Sequence, residues 1–140
     1  MGQKHKNNEY KELEKASQLP IDHLKFSFEF YANEKEYCLS QWPKNEISLT
    51  LKRLQDICSK TFNELINGRC TYHFYPVDWS KTIKKEFPNA KINKIEPFHF
   101  SLIGVNCQKA RVYGAYADSI FYIVWFDFDH KIWPTFKKNT

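Results

Sequence analysis

Arg111, Tyr113 and His130 are the residues of this chain whose types and spacing best suit proton transfer and the binding of negative charge. Arg111 and Tyr113 are two positions apart in a strand-like run, so their side chains would share one face of a strand. His130 follows the next apolar run and comes within reach of Arg111 if its loop folds back over the sheet. A guanidinium can stabilise developing negative charge, and an imidazole can donate or accept a proton near neutral pH. We therefore treat these three residues as candidate catalytic residues on one face.

Each histidine and the arginine also have a purely structural interpretation. His130 could bond a neighbouring aspartate and lock its turn. His73 and His99 fall in strand-like runs flanked by aromatic residues, where a histidine is more often half-buried and hydrogen-bonded than catalytic. Arg111 could be a surface residue paired with a carboxylate, and the nearby carboxylates are Asp118, Asp127 and Asp129.

Two further groups of residues are candidates for contacts with nucleic acid. Tyr116 follows Tyr113 in the same run, and a tyrosine ring can stack on a base with a gain of about 1–3 kcal/mol per base. Lys81, Lys84 and Lys85 belong to the densest basic stretch and can contact phosphates. A solvated loop would also explain the lysines, and tyrosine is favoured in strands for packing alone.

The composition narrows the class of function. The formal net charge is +5 and the pI about 9.0, which favours anionic partners such as nucleic acid. The chain has only 4 Gly and contains no glycine-rich phosphate loop, and it has no Ser or Cys nucleophile motif, so nucleotide hydrolysis and acyl transfer are disfavoured. Asp127, Asp129 and His130 are too few for a metal site. We predict neither a metal nor a cofactor.

The cysteines and the apolar runs indicate the compartment. Cys38, Cys58, Cys70 and Cys107 form no CxxC pair, and without an export signal free thiols are expected. The longest apolar run, 120–126, has the length of a strand rather than the roughly 20 residues of a membrane span. The N-terminal stretch lacks the apolar core of a signal peptide. We therefore expect a cytoplasmic protein with no membrane association.

The apolar patterns predict one α+β domain over residues 24–140, preceded by a polar tail or short helix over 1–23. Asn45 predicts the N-cap of a helix that begins at Glu46, and a capping-box pattern at Thr61 and Glu64 predicts a second helix that ends at Gly68. Helices and strands are segregated, so we expect an α+β fold with an antiparallel sheet in its C-terminal half rather than a parallel α/β sheet. The predicted strands are 24–31, 70–77, 97–105 and a hairpin of 110–116 with 120–127.

The order of these elements resembles that of the RelE-like toxins, small basic proteins that cut messenger RNA, usually on the ribosome. Their fold is a twisted antiparallel sheet with a pair of helices on one side. The C-terminal block, RVYG followed by FYIVWFDFDH and WP, also resembles a group of small uncharacterised bacterial and phage-borne proteins. In that group an RVxG-type strand precedes an FYxVWxDxxH strand and loop. The likeness covers roughly residues 24–134.

The first resemblance implies a metal-independent RNA endonuclease, or a degenerate relative, in toxin–antitoxin or phage-conflict biology. RNA cleavage needs a group that activates the ribose 2′-hydroxyl, a cation for the phosphorane charge and a donor for the leaving 5′-oxygen. Arg111 would be the cation and His130 the donor, and RNA or the ribosome and an antitoxin-like protein would be partners. The aromatic sheet also fits another class, a non-catalytic module of phage defence or counter-defence that binds a protein through its sheet face.

Overall fold

A computed structural model describes residues 22–134 of the chain. The tail or short helix predicted for residues 1–23 therefore lies almost wholly outside the described residues. No helix within this range is long and apolar enough to cross a membrane.

Five strands form one sheet in the order β1-β5-β4-β3-β2. Strands β2 to β5 pair antiparallel, whereas β1 pairs parallel with β5. The α+β class is confirmed, and the sheet is mixed rather than purely antiparallel because β1 enters beside β5 in the same direction. The strands are β1 Lys25–Ser27, β2 Tyr75–Pro76, β3 Glu96–Ser101, β4 Arg111–Ala117 and β5 Ile120–Asp127.

The β4–β5 hairpin is confirmed, and a two-residue turn joins its strands. Asp118 and Ser119 both have positive φ, 52° and 64°, as in the type I′ turn whose twist matches that of the flanking strands. Strand β5 lies between β1 and β4, so it is an interior strand, as its apolar run predicts. Four of its large side chains are at most 1% exposed, and these are Phe121, Ile123, Trp125 and Phe126.

A β-bulge in β5 interrupts the alternation of its side chains between the two faces of the sheet. Tyr113 pairs with Trp125 and Gly114 with Ile123, which leaves Val124 as the extra residue. Val124 and Trp125 consequently contribute to the same core although they are adjacent in sequence. Gly114 is required at this place, because a Cβ there would lie 2.0 Å from the carbonyl oxygen of Tyr122.

The two predicted helices exist, and the first begins earlier than expected. Helix α1 is Lys44–Ile57 with Pro43 at its N-cap, so Asn45 lies inside the helix. Helix α2 is Phe62–Asn67, and its capping box is confirmed by two bonds. The Glu64 amide donates to Thr61 Oγ1 at 3.1 Å, and the Thr61 amide donates to Glu64 Oε1 at 3.2 Å.

The strand predicted for residues 70–77 is largely wrong. Gly68 has φ −86° rather than a left-handed conformation, and its carbonyl accepts hydrogen bonds from the Thr71 and Tyr72 amides at 3.0 Å. These bonds form a further helical turn, α3 Arg69–Tyr72. Only Tyr75–Pro76 then joins the sheet.

Two other strands are shorter than predicted because the chain turns at their ends. After β1, the Tyr31 amide bonds the carbonyl of Phe28 at 3.1 Å, so residues 28–31 leave the sheet and Phe28 is 54% exposed. After β3, the Val105 amide bonds the carbonyl of Leu102 at 3.0 Å. Both turns divert alternating apolar residues away from the sheet.

Both faces of the sheet are covered. On the side called here the helix face, Leu54 and Ile57 of α1 and Leu65 of α2 pack in one core with strand residues such as Phe100 and Phe121. On the opposite side, the loop face, segments 30–37, 77–95 and 128–134 supply the cover. Their buried residues pack against Tyr113, Val124 and Trp125, and they are Tyr37, Val77, Phe87, Ile92 and Ile132.

Candidate functional site

The antiparallel pairing gathers four polar side chains at one end of the sheet. Ser101 is the last residue of β3, and Arg111 is the first residue of β4. His73 lies just before β2, and His130 lies just after β5. Because antiparallel strands alternate in direction, the beginnings of β2 and β4 meet the ends of β3 and β5. In strand order Arg111 therefore lies between the two histidines.

Two adjoining clefts open at this end of the sheet. The smaller, about 260 Å³, is lined by Ser101, Gln108 and Thr71, and it shares His73 and Arg111 with the larger. The larger cleft, about 410 Å³, is lined by His73, Tyr75, His99, Arg111, His130 and Trp133. We call the two clefts together the histidine groove.

Arg111 is held by oxygen atoms that carry no full charge. Its Nη1 donates to Ser101 Oγ at 3.3 Å, to the carbonyl of Ala110 at 3.1 Å and to the carbonyl of Gln108. Within residues 22–134, Nε and Nη2 have no acceptor, and no carboxylate forms an ion pair with the guanidinium. Burial lowers the pKa of Arg111, while Tyr113 and Asp127 raise it. The pairing of Arg111 with Asp118, Asp127 or Asp129 that the structural interpretation suggested is absent from this range.

His130 is half-buried and has a φ of 59°, in the left-handed region that residues other than glycine rarely adopt. Asp127 accepts the Lys131 amide at 2.9 Å and the Ile132 amide at 2.7 Å. Asp129 accepts from Asn106 Nδ2 at 3.1 Å. The turn is thus locked by backbone amides, and neither aspartate bonds the imidazole in the described part of the chain.

His73 was not expected at this site. It is exposed, and its φ is 50°, because it lies in the bend between α3 and β2 rather than in a strand. The alternation of aromatic and polar residues around it concealed this position. Gly68 was the sequence signal that could have indicated this bend, because a glycine after an amphipathic helix often marks a change of chain direction.

His99 is buried among rings at the base of the larger cleft. Its ring stacks on Tyr113 at 5.3 Å and 12°, and Trp133 lies 4.9 Å away on centroids. Burial and then the positive charges of Arg111, His130 and His73 lower the pKa of His99 to about 3. His99 is therefore neutral at neutral pH, which excludes it as a proton donor there.

Two of the predicted site residues, Tyr113 and Tyr116, do not line the histidine groove. Tyr113 does share the face of Arg111, but it is 0% exposed and its hydroxyl has no partner among the described residues. Burial raises its pKa. Tyr116 lies on the helix face and stacks on Phe62 at 4.0 Å and 7°. The alternation of β4 accounts for this, since positions 113 and 116 differ by an odd number.

The predicted lysines lie in a loop that does not line the groove. Lys84 is 3.5 Å from a Glu34 carboxylate oxygen, and its Nζ lies 4.9 Å from the Tyr37 ring and 5.0 Å from the Trp125 ring. This lysine is a packing residue. Lys81 reaches Asp78 at 4.0 Å, and Lys85 is exposed.

The groove also carries no acidic lining. Among the described residues, no Asp or Glu lines either cleft. In the same range no three His, Cys, Asp or Glu side chains are arranged as ligands of a metal ion, even though three histidines line the larger cleft. The arrangement suits an anion more than a cation.

No family model matches the chain, and neither a curated protein nor a solved structure matches it significantly. The likeness to RelE-like toxins stays a prediction. The roles of Arg111 and His130 stay predictions as well, although both side chains line one cleft. The residues that line the groove are therefore the basis for a functional proposal.

Proposed function

We propose that the chain is a metal-independent RNA endonuclease that cuts in the histidine groove. One observation carries the proposal: Arg111 lies between His73 and His130 in a cleft with no acidic lining. Two imidazoles can serve as the base and the acid in cleavage through the ribose 2′-hydroxyl, and a guanidinium can stabilise the charge on the phosphorane. The net charge of +5 further favours a polyanionic substrate.

In the proposed reaction, one imidazole removes the proton of the 2′-hydroxyl as its oxygen attacks the phosphorus. The bond from phosphorus to the 5′-oxygen breaks, and the second imidazole protonates that oxygen. The products are a 2′,3′-cyclic phosphate and a 5′-hydroxyl, and no water or metal is consumed. We assign His130 as the acid and His73 as the base.

Arg111 has the geometry to stabilise the charge on the phosphorane. Its Nη1 is held by Ser101 and two backbone carbonyls, which fixes the guanidinium without neutralising it. The Nε and Nη2 atoms, unpaired within residues 22–134, are the donors available to phosphate oxygens. A preorganised cation of this kind lowers the barrier because it does not have to reorient during the reaction.

The test uses a single-stranded RNA of mixed sequence in buffer with EDTA, followed by analysis of product length and end groups. We expect cleavage with 2′,3′-cyclic phosphate ends. Replacement of His73, Arg111 or His130 by Ala should lower the rate about 10²-fold or more. Lys52→Ala, an exposed change outside the groove, is the matched control and should keep the rate. Cleavage that survives in all three groove variants would contradict the assignment.

In the cell such an activity would act on messenger RNA as a cytoplasmic toxin, and a protein that covers the groove would hold it in check. The alternative is a module that binds proteins through an aromatic sheet face. We favour it less, because the helix face and the loop face are both covered by other parts of the chain. The exposed large aromatics among the described residues are Phe28, outside the sheet, and Tyr75, which belongs to the groove.

A further inference from the structure

A continuous series of rings lines the larger cleft beside the proposed cleavage point. His73 lies 6.4 Å from Tyr75, Tyr75 lies 6.2 Å from His99, and His99 lies 4.9 Å from Trp133 on ring centroids. Tyr113 supports His99 from below. Of these residues, Tyr75 is exposed and Trp133 is half-buried.

We propose that Trp133, together with Tyr75, is a stacking platform for one unpaired base of the substrate. The base would lie in the larger cleft, and the adjacent phosphate would lie at Arg111 and His73, where the two clefts meet. This inference rests on the proposed function for the choice of RNA as ligand. It adds the substrate class, which is single-stranded RNA with a base turned into the cleft.

Trp133 differs from the other three tryptophans in what it borders. Trp42 and Trp125 are 7% and 1% exposed and lie inside the two cores, and Trp79 and Trp133 are half-buried and pack against the core of the loop face. Of the four, Trp133 is the one that lines the larger cleft. Its inner neighbour, His99, is 8% exposed, and Nδ1 of that ring has no partner within residues 22–134. A buried, neutral imidazole with an unmade hydrogen bond is costly to keep for packing alone. The position of His99 at the base of an open cleft is consistent with a role in ligand binding.

The size of the cleft and the type of its walls fit one nucleotide. A volume of about 410 Å³ falls in the range of about 300–1,000 Å³ that small-molecule sites occupy. Aromatic walls beside a cation form the usual site for single-stranded nucleic acid, because every base offers a π-face and every nucleotide a phosphate. A base inside a duplex is already stacked and paired, so a duplex should be excluded.

The experiment measures binding of a 2′-O-methyl trinucleotide of adenine, which lacks the nucleophilic hydroxyl and so cannot be cleaved. Its matched partner is the same backbone with an abasic central position. We expect Trp133→Ala to weaken binding of the intact probe about 5-fold or more, the equivalent of 1 kcal/mol or more per stacked base. Trp133→Phe, which keeps a ring, should lose less. Binding of the abasic probe should not change in either variant.

Equal affinity for the intact and abasic probes would overturn the platform, and so would a Trp133→Ala variant that binds as the original chain does. A self-complementary duplex probe that binds as tightly as the single strand would also overturn it. Circular dichroism of each variant verifies that the fold is kept, and Trp133→Phe supplies the result if Trp133→Ala does not fold. Because the probe is not cleaved, the two proposals fail separately. Base-dependent binding without cleavage of ordinary RNA would overturn the nuclease and leave the platform.

Discussion

Acid should destabilise this protein through a single buried ring, that of His99. In the folded chain the pKa of His99 is lowered to about 3, first by burial and then by nearby positive charge. In the unfolded chain a histidine titrates near 6.5. Between these values the unfolded state binds a proton that the folded state does not, so stability falls as the pH falls from about 6.5 towards 3. Above about pH 6.5 both states are neutral at this position, and it contributes no pH dependence.

The size of the effect follows from the difference between the two pKa values. At about pH 5 the unfolded histidine is almost fully protonated while the folded one is still neutral, which costs about 2 kcal/mol of unfolding free energy relative to about pH 7.5. Asp127 acts with the opposite sign. Burial raises its pKa, against two amide hydrogen bonds that lower it, so its protonation in acid favours the folded state. The His99 component must therefore be isolated by comparison with variants.

The assay is urea unfolding at about pH 7.5 and about pH 5 for the original chain, His99→Phe and His99→Gln. Neither replacement titrates, so both variants should lose about 2 kcal/mol less than the original chain on going to the lower pH. The two variants will differ in absolute stability, because only Phe keeps a ring between Tyr113 and Trp133, but their pH dependence should agree. If the original chain and both variants lose the same free energy between the two pH values, the buried neutral imidazole is refuted.

Three further outcomes are expected. Trp125→Ala should lower the unfolding free energy by about 3–5 kcal/mol in the same urea assay, because this ring is 1% exposed between Tyr37 and Phe87; a loss below about 1 kcal/mol would show that the ring is not in the core. Gly114→Ala should yield little folded protein in a bacterial host, because its Cβ would meet a backbone oxygen at 2.0 Å, and normal yield would contradict the bulge geometry. Induced expression in bacteria should arrest growth and degrade cellular RNA, and His130→Ala should abolish both effects; arrest by that variant would argue against cleavage in the groove.

The β4–β5 hairpin and the capping box were predictable because their signals are local. The turn residues, the unbroken apolar run and the Thr61–Glu64 pair each act over a few residues. The wrong strand at 70–77 shows the limit of such signals. The alternating aromatic and polar residues there favour a strand, but the same stretch can form one more helical turn closed on Gly68. Tertiary packing decides which of the two structures forms.

The site was partly predictable for the same reason. Arg111 and His130 are joined by one hairpin, so their shared end of the sheet follows from the sequence. Alternation assigns a residue to a face but not to a depth, and Tyr113 was therefore placed at the site although loop segments cover it completely. His73 was missed because its position depends on α3, which the aromatic pattern hid.

The parallel pairing of β1 has a consequence for the order in which the molecule is assembled during synthesis. Lys25 pairs with Ile120 and Ser27 with Tyr122. Strand β1 therefore cannot pair in the sheet until β5 has been synthesised. Contacts between residues so far apart in sequence form slowly. The hairpin can form as soon as both of its strands are present, whereas the groove needs residues from 71 to 133. A nascent chain that stops before β5 therefore has neither a paired β1 nor a complete groove.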